Sequence, residues 1–171
     1  MRTTDIALAL VFATAVAGCV TMSGQESRAT TTLEPTRGNT TGGTVTFVQR
    51  RGSVHVVADI HGLKPNSEHG FHVHEKGDCS SGDGMSAGGH FNPEGVQHGS
   101  LGGHAGDMPN LKADANGNAK VAFDSTKMTV TEGKLSIVGK GLIVHRDPDD
   151  YVSQPVGNAG PRLACGVIKA A

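Results

Sequence analysis

Alternating apolar and polar residues mark several short segments of the chain as β-strands. In "TVTFVQ" and "SVHVVADI" every second residue is apolar, and the intervening "RRG" has the length and the glycine of a hairpin turn. An Asn-Gly turn in "ADANGNA" precedes another such segment. The predicted strands cover residues 44–49, 53–60, 71–74, 120–123, 135–138, 141–145 and 163–168.

No segment has a convincing helical period. Many short strands separated by turns are typical of an antiparallel sandwich or barrel, so we predict an all-β fold. Residues 75–112 and 146–162 break this rhythm, because they are long, rich in glycine and poor in apolar residues. Loops of this length are uncommon in a compact domain unless they have a function.

Composition agrees with this fold and limits the partners. The 171 residues include 25 glycines, no tryptophan and only 4% aromatic residues, which suits a turn-rich β domain with a modest core. The net charge of −1 provides no basic surface for nucleic acid. Nine histidines are many for this length.

The N-terminus has the pattern of a secretory signal. Arg2 precedes the apolar run Ile6–Val16, which is too short to span a bilayer; a buried helix is the alternative. The following "VAGC" resembles the lipobox of bacterial lipoproteins, in which the cysteine is lipidated. We therefore expect a signal peptide over residues 1–18, a lipid anchor at Cys19 and a location in the cell envelope or periplasm, anchored to the outer membrane; either leaflet of that membrane stays open. Residues 19–42, rich in Ser, Thr and Gly, are expected to form a flexible tether.

Two further cysteines, Cys79 and Cys165, are far apart in the sequence. In an oxidising compartment such a pair indicates a structural disulfide, and two buried free thiols are the alternative.

Histidines form the most distinctive chemical pattern. His72 and His74 in "GFHVH" are two residues apart on a predicted strand, so both leave the same face, about 7 Å apart. Further candidates lie in the first long loop and at the end of a later strand: His90, His98, His104, Asp107 and His145. Each histidine alone is more simply a surface or hydrogen-bonded residue, but together they predict a metal site.

Four segments, "GFHVH", "GGHFNP", "HAGDMPN" and "GNAGPRLACGVI", are similar to motifs of the copper/zinc superoxide dismutase family, in that family's order. The resemblance covers roughly residues 43–171. It implies a Greek-key β-barrel or sandwich of immunoglobulin-like type with two long functional loops. It also implies one copper and one zinc per subunit, and dismutation of superoxide to O₂ and hydrogen peroxide.

The resemblance assigns the ligands. The copper ligands are His72, His74, His90 and His145, and the zinc ligands are His90, His98, His104 and Asp107, so that His90 bridges the two ions and carries a proton in catalysis. Cys79 and Cys165 match the family's intrasubunit disulfide. Arg162 matches the arginine that docks the substrate, and Asp149 matches a carboxylate linking the two metal sites; an ordinary solvated aspartate is the alternative for Asp149.

The ligand types fit these metals independently of the family. Three histidines and one aspartate supply the four donors of a closed zinc site, and a set of imidazoles suits Cu(II) with a position left open. A copper carrier is one rival, but carriers of Cu(I) favour Cys and Met ligands. A zinc hydrolase is the other, but it needs an open zinc position, and Asp107 closes the zinc site.

One segment departs from the better-known eukaryotic members. The stretch from Arg146 to Pro161 holds three aspartates and no lysine, so a lysine-lined guidance loop is absent. The spacings resemble the bacterial branch of the family. That branch does not reliably share the dimer interface of the eukaryotic members, so both a monomer and a homodimer stay open.

Overall fold

The computed structural model describes residues 26–99 and 103–171, so the expected signal peptide and Cys19 lie outside the described residues. Its regular structure is almost entirely β: β1 (Arg28–Pro35), β2 (Gly42–Arg50), β3 (Ser53–His61), β4 (Glu68–His69), β5 (Phe71–His74), β6 (Leu111–Lys112), β7 (Ala119–Ser125), β8 (Gly141–His145), β9 (Arg162–Val167) and β10 (Lys169–Ala170). A single 3-10 turn, Met85–Ala87, interrupts the first long loop. Within these described ranges no helix is long and apolar enough to cross a membrane.

The strands form one large antiparallel sheet that curls into a barrel, as predicted. Its order is β5-β8-β9-β1-β2-β3-β7, with β10 added beside β1, and β4 and β6 form a separate two-stranded sheet. Neighbours in this order are often distant in sequence, because the long connections cross the ends of the barrel. The two long loops therefore meet where β5, β8 and β9 lie side by side.

The predicted hairpin between β2 and β3 is confirmed. Arg50 pairs with Ser53, and Gly52 in the turn has φ 78°, a left-handed conformation that favours glycine. Along β3 every second side chain enters the core, which the alternating pattern predicted: Val54, Val56, Ala58 and Ile60.

The prediction of a flexible tether over residues 19–42 is wrong for residues 28–42. β1 pairs with β2 on one side and with β9 and β10 on the other, and Ala29, Thr31 and Leu33 point into the protein. Composition concealed this strand, because three of its eight residues are threonines and only one, Leu33, is a large aliphatic residue. Threonine is β-branched and suits a half-buried strand, and few apolar residues are needed to hold a strand between two neighbours.

The predicted strand at residues 135–138 is also wrong. Ile137 is fully buried and Leu135 packs partly on the core, but the segment makes only an isolated bridge between Thr129 and Ser136. Its apolar residues belong to a loop that packs on the hydrophobic core. Packing alone, without a hydrogen-bonded ladder, accounts for the pattern that suggested a strand.

Candidate metal centre

Strand β5 carries His72 and His74, whose side chains are fully buried. Phe71 and Val73 point into the core, and His72 and His74 leave the opposite face with no exposed surface. β8 lies beside β5, with Phe71 opposite Val144, and delivers His145 at its end. Alternation along β5 and adjacency to β8 thus bring three imidazoles together.

The first long loop returns along the free edge of β5 and brings in the next ligand candidates. His90 forms a bridge to His74, and Asp107 forms a bridge to His72. Val73 donates its backbone N–H to Gly106 O at 2.9 Å. A Cβ on Gly106 would lie only 2.2 Å from Val73 O, so this close approach requires glycine.

Four histidines form one buried cluster. Ligand atoms of His72, His74, His90 and His145 lie within 4.8 Å of one another, and Nε2 of His74 is 3.3 Å from Nε2 of His145. The outer nitrogens are held: His72 Nε2 donates to Asp149 Oδ2 at 2.8 Å, His74 Nδ1 to Gly88 O at 2.9 Å, and His145 Nδ1 to Gly160 O at 3.1 Å. A neutral imidazole carries one proton, so these bonds leave the inner nitrogens as bare lone pairs.

The second cluster consists of His90, His98, His104 and Asp107, whose ligand atoms also lie within 4.8 Å of one another. Asp107 Oδ1 is 2.9 Å from His90 Nδ1, and its Oδ2 is 3.0 Å from His98 Nδ1. His104 Nδ1 lies 3.4 Å from Asp107 Oδ1. Nδ1 of His98 and Nδ1 of His104 approach the carboxylate without the alignment of a hydrogen bond. One carboxylate thus faces three imidazole nitrogens.

His90 belongs to both clusters and is the only residue among those described that does so. Its Nδ1 faces Asp107, and its Nε2 faces the four-histidine cluster without a hydrogen-bond partner. Asp149 makes a second connection, because its two oxygens accept from His72 Nε2 and from His98 Nε2 at 2.8 and 2.9 Å. Asp149 is buried, so the solvated alternative for this residue does not apply.

Burial favours the neutral form of His72, His74 and His145. It lowers the pKa of His72 and His74 well below the ordinary value, and neighbouring histidines lower it further. Burial also lowers the pKa of His145 to about 4. For Asp107 burial raises the pKa, but the hydrogen bond from His90 and the surrounding imidazoles outweigh it, so the net pKa is lowered. These are the protonation states that metal ligands need.

Buried ring nitrogens without hydrogen-bond partners indicate whether metal ions fit the two clusters. Four buried ring nitrogens have no hydrogen-bond partner in the described chain, and all four point into the two clusters: His72 Nδ1, His90 Nε2, His98 Nδ1 and His104 Nδ1. Buried polar atoms without partners are rare and call for an explanation. Convergent lone pairs beside a carboxylate fit cations, so the residues present suit a pair of metal ions.

Arg162 lies beside the four-histidine cluster. Its Nη1 donates to Gly84 O and its Nη2 to Gly88 O, both at 2.5 Å, and Gly88 O also accepts from His74. Both acceptors are neutral carbonyls, so the positive charge is not cancelled by them. Cys79 and Cys165 form the predicted disulfide, which ties the loop carrying these carbonyls to β9.

A family model described as copper/zinc superoxide dismutase matches residues 41–168. The chain belongs to the copper/zinc superoxide dismutase family. It is 42% identical over 134 residues to copper-zinc superoxide dismutase 2 of Aquifex aeolicus, covering 74% of this chain and 78% of that relative. A superoxide dismutase-like protein of Bacillus subtilis, YojM, is 39% identical over 141 residues, covering 76% of this chain and 72% of that protein.

Among solved structures, the clock protein EA4 superposes with a TM-score of 0.77 at 40% identity, covering 85% of this chain and 96% of that one. The relatives of this chain therefore include both copper/zinc superoxide dismutases and a protein described as dismutase-like. Membership gives the fold and implies copper and zinc, and the catalytic activity has to be argued from the site.

Sequence reasoning missed the residues that hold Asp149 in place. Asn110 pairs with the backbone of Asp149, accepting from its N–H at 3.0 Å and donating to its carbonyl at 2.9 Å. The hydroxyl of Tyr151 accepts the Asn110 backbone N–H at 2.7 Å. Asn110 ends the quoted segment "HAGDMPN", but a lone amide gives no chemical signal before the second loop is known to lie against it.

Proposed function

We propose that this protein dismutates superoxide, converting two superoxide ions and two protons to O₂ and hydrogen peroxide. The observation that carries the proposal is His90, whose two ring nitrogens face two different metal-ligand clusters. Copper is assigned to the cluster of imidazoles alone, where an open position can accept substrate. Zinc is assigned to the closed cluster of three histidines and Asp107.

When bound, copper supplies the one-electron couple that oxidises one superoxide ion and reduces the next. The chain supplies a proton carrier and an anion site. Nε2 of His90 has no protein partner, so it is the ring atom that can hold a proton and release it to the reduced dioxygen. Nδ1 of His90 lies 2.9 Å from Asp107 Oδ1 in the closed cluster, where zinc would hold both side chains and keep the ring oriented while Nε2 gains and loses the proton.

Arg162 provides the charge that attracts and orients a small anion. Arginine stays protonated at any physiological pH, and this guanidinium is half-buried, which strengthens its field. Two backbone carbonyls fix its direction. The loop from Arg146 to Pro161 has no lysine, so local attraction by Arg162 replaces guidance from that loop.

Metal analysis combined with pulse radiolysis tests the proposal. Purified protein supplied with copper and zinc is expected to bind one of each and to accelerate superoxide decay. The apoprotein, and protein supplied with zinc alone, serve as controls and are expected to be inactive. Protein that binds both metals but leaves superoxide decay unchanged would identify a dismutase-like protein without turnover.

We also propose that the protein acts in the cell envelope, held by a lipid on Cys19. Support comes from the sequence alone, from the apolar run and the "VAGC" that follows it. Cys19→Ser is expected to move the protein from the membrane to the soluble fraction of fractionated cells, with dismutation unchanged. An unaltered membrane fraction would reject the anchor and leave the proposed activity untouched.

A further inference from the structure

The connection between β1 and β2, residues 36–41, lies against the active-site arginine. It belongs to the segment that the sequence predicted to be a tether, and it contributes no metal ligand. Thr36 is buried, and its backbone N–H donates to Leu163 O at 3.0 Å. Its hydroxyl lies 2.7 Å from Arg162 O and 3.1 Å from Leu163 O.

The direction of the Thr36 hydroxyl is fixed by a neighbour. Asn39 Nδ2 donates to Thr36 Oγ1 at 2.8 Å, and Asn39 N–H donates to Thr36 O at 3.0 Å. The oxygen therefore accepts from Asn39, and its single proton is available to a carbonyl. Leu163 O already receives the Thr36 N–H, so the shorter contact, to Arg162 O, takes the hydroxyl proton.

The same turn holds the loop that binds the guanidinium. Arg37 donates its backbone N–H to Gly82 O at 2.6 Å. A Cβ on Gly82 would lie 2.8 Å from Arg37 Nη2, so the Arg37 side chain lies flat against this glycine. Two residues later, Gly84 O accepts from Arg162 Nη1. The turn thus holds Arg162 in two ways. Thr36 bonds to the Arg162 backbone carbonyl, and Arg37 bonds to the loop whose Gly84 O accepts from the Arg162 side chain.

We propose that the β1–β2 turn, through Thr36, is a positioning element for Arg162 and fixes the guanidinium at which the anionic substrate docks. This inference rests on the proposed function only for the identity of the anion. Both ends of Arg162 are held by parts of the chain that lie more than 70 residues away from it in the sequence. An error of about 1 Å in the placement of a binding group reduces rates by up to about a hundredfold, so such a grip affects turnover.

The test replaces the hydroxyl and retains the shape of the side chain. Thr36→Val removes the bond to Arg162 O, and Thr36→Ser keeps it. Thr41→Val is the matched control, because Thr41 is also buried and its hydroxyl donates to a backbone carbonyl, that of Gly62, at 2.9 Å. Thr41→Val loses one buried hydrogen bond, and Thr36→Val loses two, the one to Arg162 O and the one from Asn39 Nδ2, so Thr36→Val should lose more thermal stability.

Two measurements read the position of Arg162. ¹⁵N relaxation of its Nε–H in the full chain is expected to show a lower order parameter in Thr36→Val, and wild-type values in Thr36→Ser and Thr41→Val. Azide titrated into the copper-loaded protein, followed by its charge-transfer absorption, is expected to bind about tenfold more weakly to Thr36→Val. Arg162→Ala sets the full loss of anion affinity.

Wild-type order parameters and azide affinity in Thr36→Val would overturn the proposal. An equal effect of Thr41→Val would also overturn it, because the effect would then be a general loosening of the turn. Absence of dismutation by the wild-type protein would refute the proposed function instead, and the relaxation comparison would still decide the role of Thr36.

Discussion

Removing the disulfide is expected to lower the free energy of unfolding by about 4–5 kcal/mol. The variant is Cys79→Ser/Cys165→Ala, with alanine at the buried position, where Cys165 packs on Ala87 and Ile143. The two cysteines are 86 residues apart in sequence. Cross-linking a loop of this length removes chain entropy from the unfolded state equivalent to about 4–5 kcal/mol at 25 °C.

Urea unfolding of the metal-free protein at pH 7.5 measures this difference without contributions from bound ions. Wild-type protein reduced with a thiol and kept under reductant is the control, because it lacks the cross-link but keeps both side chains. The variant and the reduced wild type are expected to agree within about 1 kcal/mol, the usual effect of a small core change. A double variant within 1 kcal/mol of the oxidised wild type would refute the assignment of a stabilising role to this bond.

Two further predictions concern the metal clusters. Asp149→Asn is expected to weaken zinc and copper binding by about 10- to 100-fold in chelator competition. The reason is that an amide cannot accept hydrogen bonds from both His72 and His98, as the carboxylate does. Asp147→Asn is the control: it alters a carboxylate paired with Arg146 and should bind both metals normally. The metal-free protein is expected to lose stability as pH falls from about 6.5 to about 4, because the unfolded chain binds protons that the buried histidines refuse. His145, with its pKa lowered to about 4, accounts for about 3 kcal/mol of this loss. Urea curves at pH 7.5 and 4.5 should differ by at least that amount, and by less in His145→Gln; equal stability at both pH values would contradict the buried, neutral state.

Side-chain chemistry made the metal centre predictable from the sequence. His72 and His74 follow from strand alternation, which depends only on local backbone geometry. The loop ligands could be grouped because their segments resemble motifs of the copper/zinc superoxide dismutase family, and the structure brings every one of them together. Asn110 and Tyr151, which hold Asp149 in place, were not predictable, since an amide and a phenol become informative only when the second loop packs against the first.

β1 escaped prediction for a different physical reason. Its stability comes from neighbours on both sides, β2 along most of its length and β9 at its end. Such a strand needs little hydrophobicity of its own, so a local pattern of threonines reads as a linker. Thr36 follows β1 in the turn that contacts Arg162. Its proposed role in positioning Arg162 depends on a contact with a residue more than 120 positions away in the sequence.

Unsatisfied lone pairs in the clusters destabilise the metal-free protein, and a bound cation would remove this destabilisation. His74 Nε2 and His145 Nε2 lie 3.3 Å apart, and their outer nitrogens already donate to carbonyls, so two lone pairs face each other in a buried site. Side chains free to relax would turn away, but the bridges to β5 and the disulfide hold the backbone that carries them. The fold therefore tolerates a local arrangement that destabilises the metal-free chain. A metal ion held by His74 and His145 would satisfy those lone pairs, so the stability lost in the apoprotein would reappear as affinity for the metal.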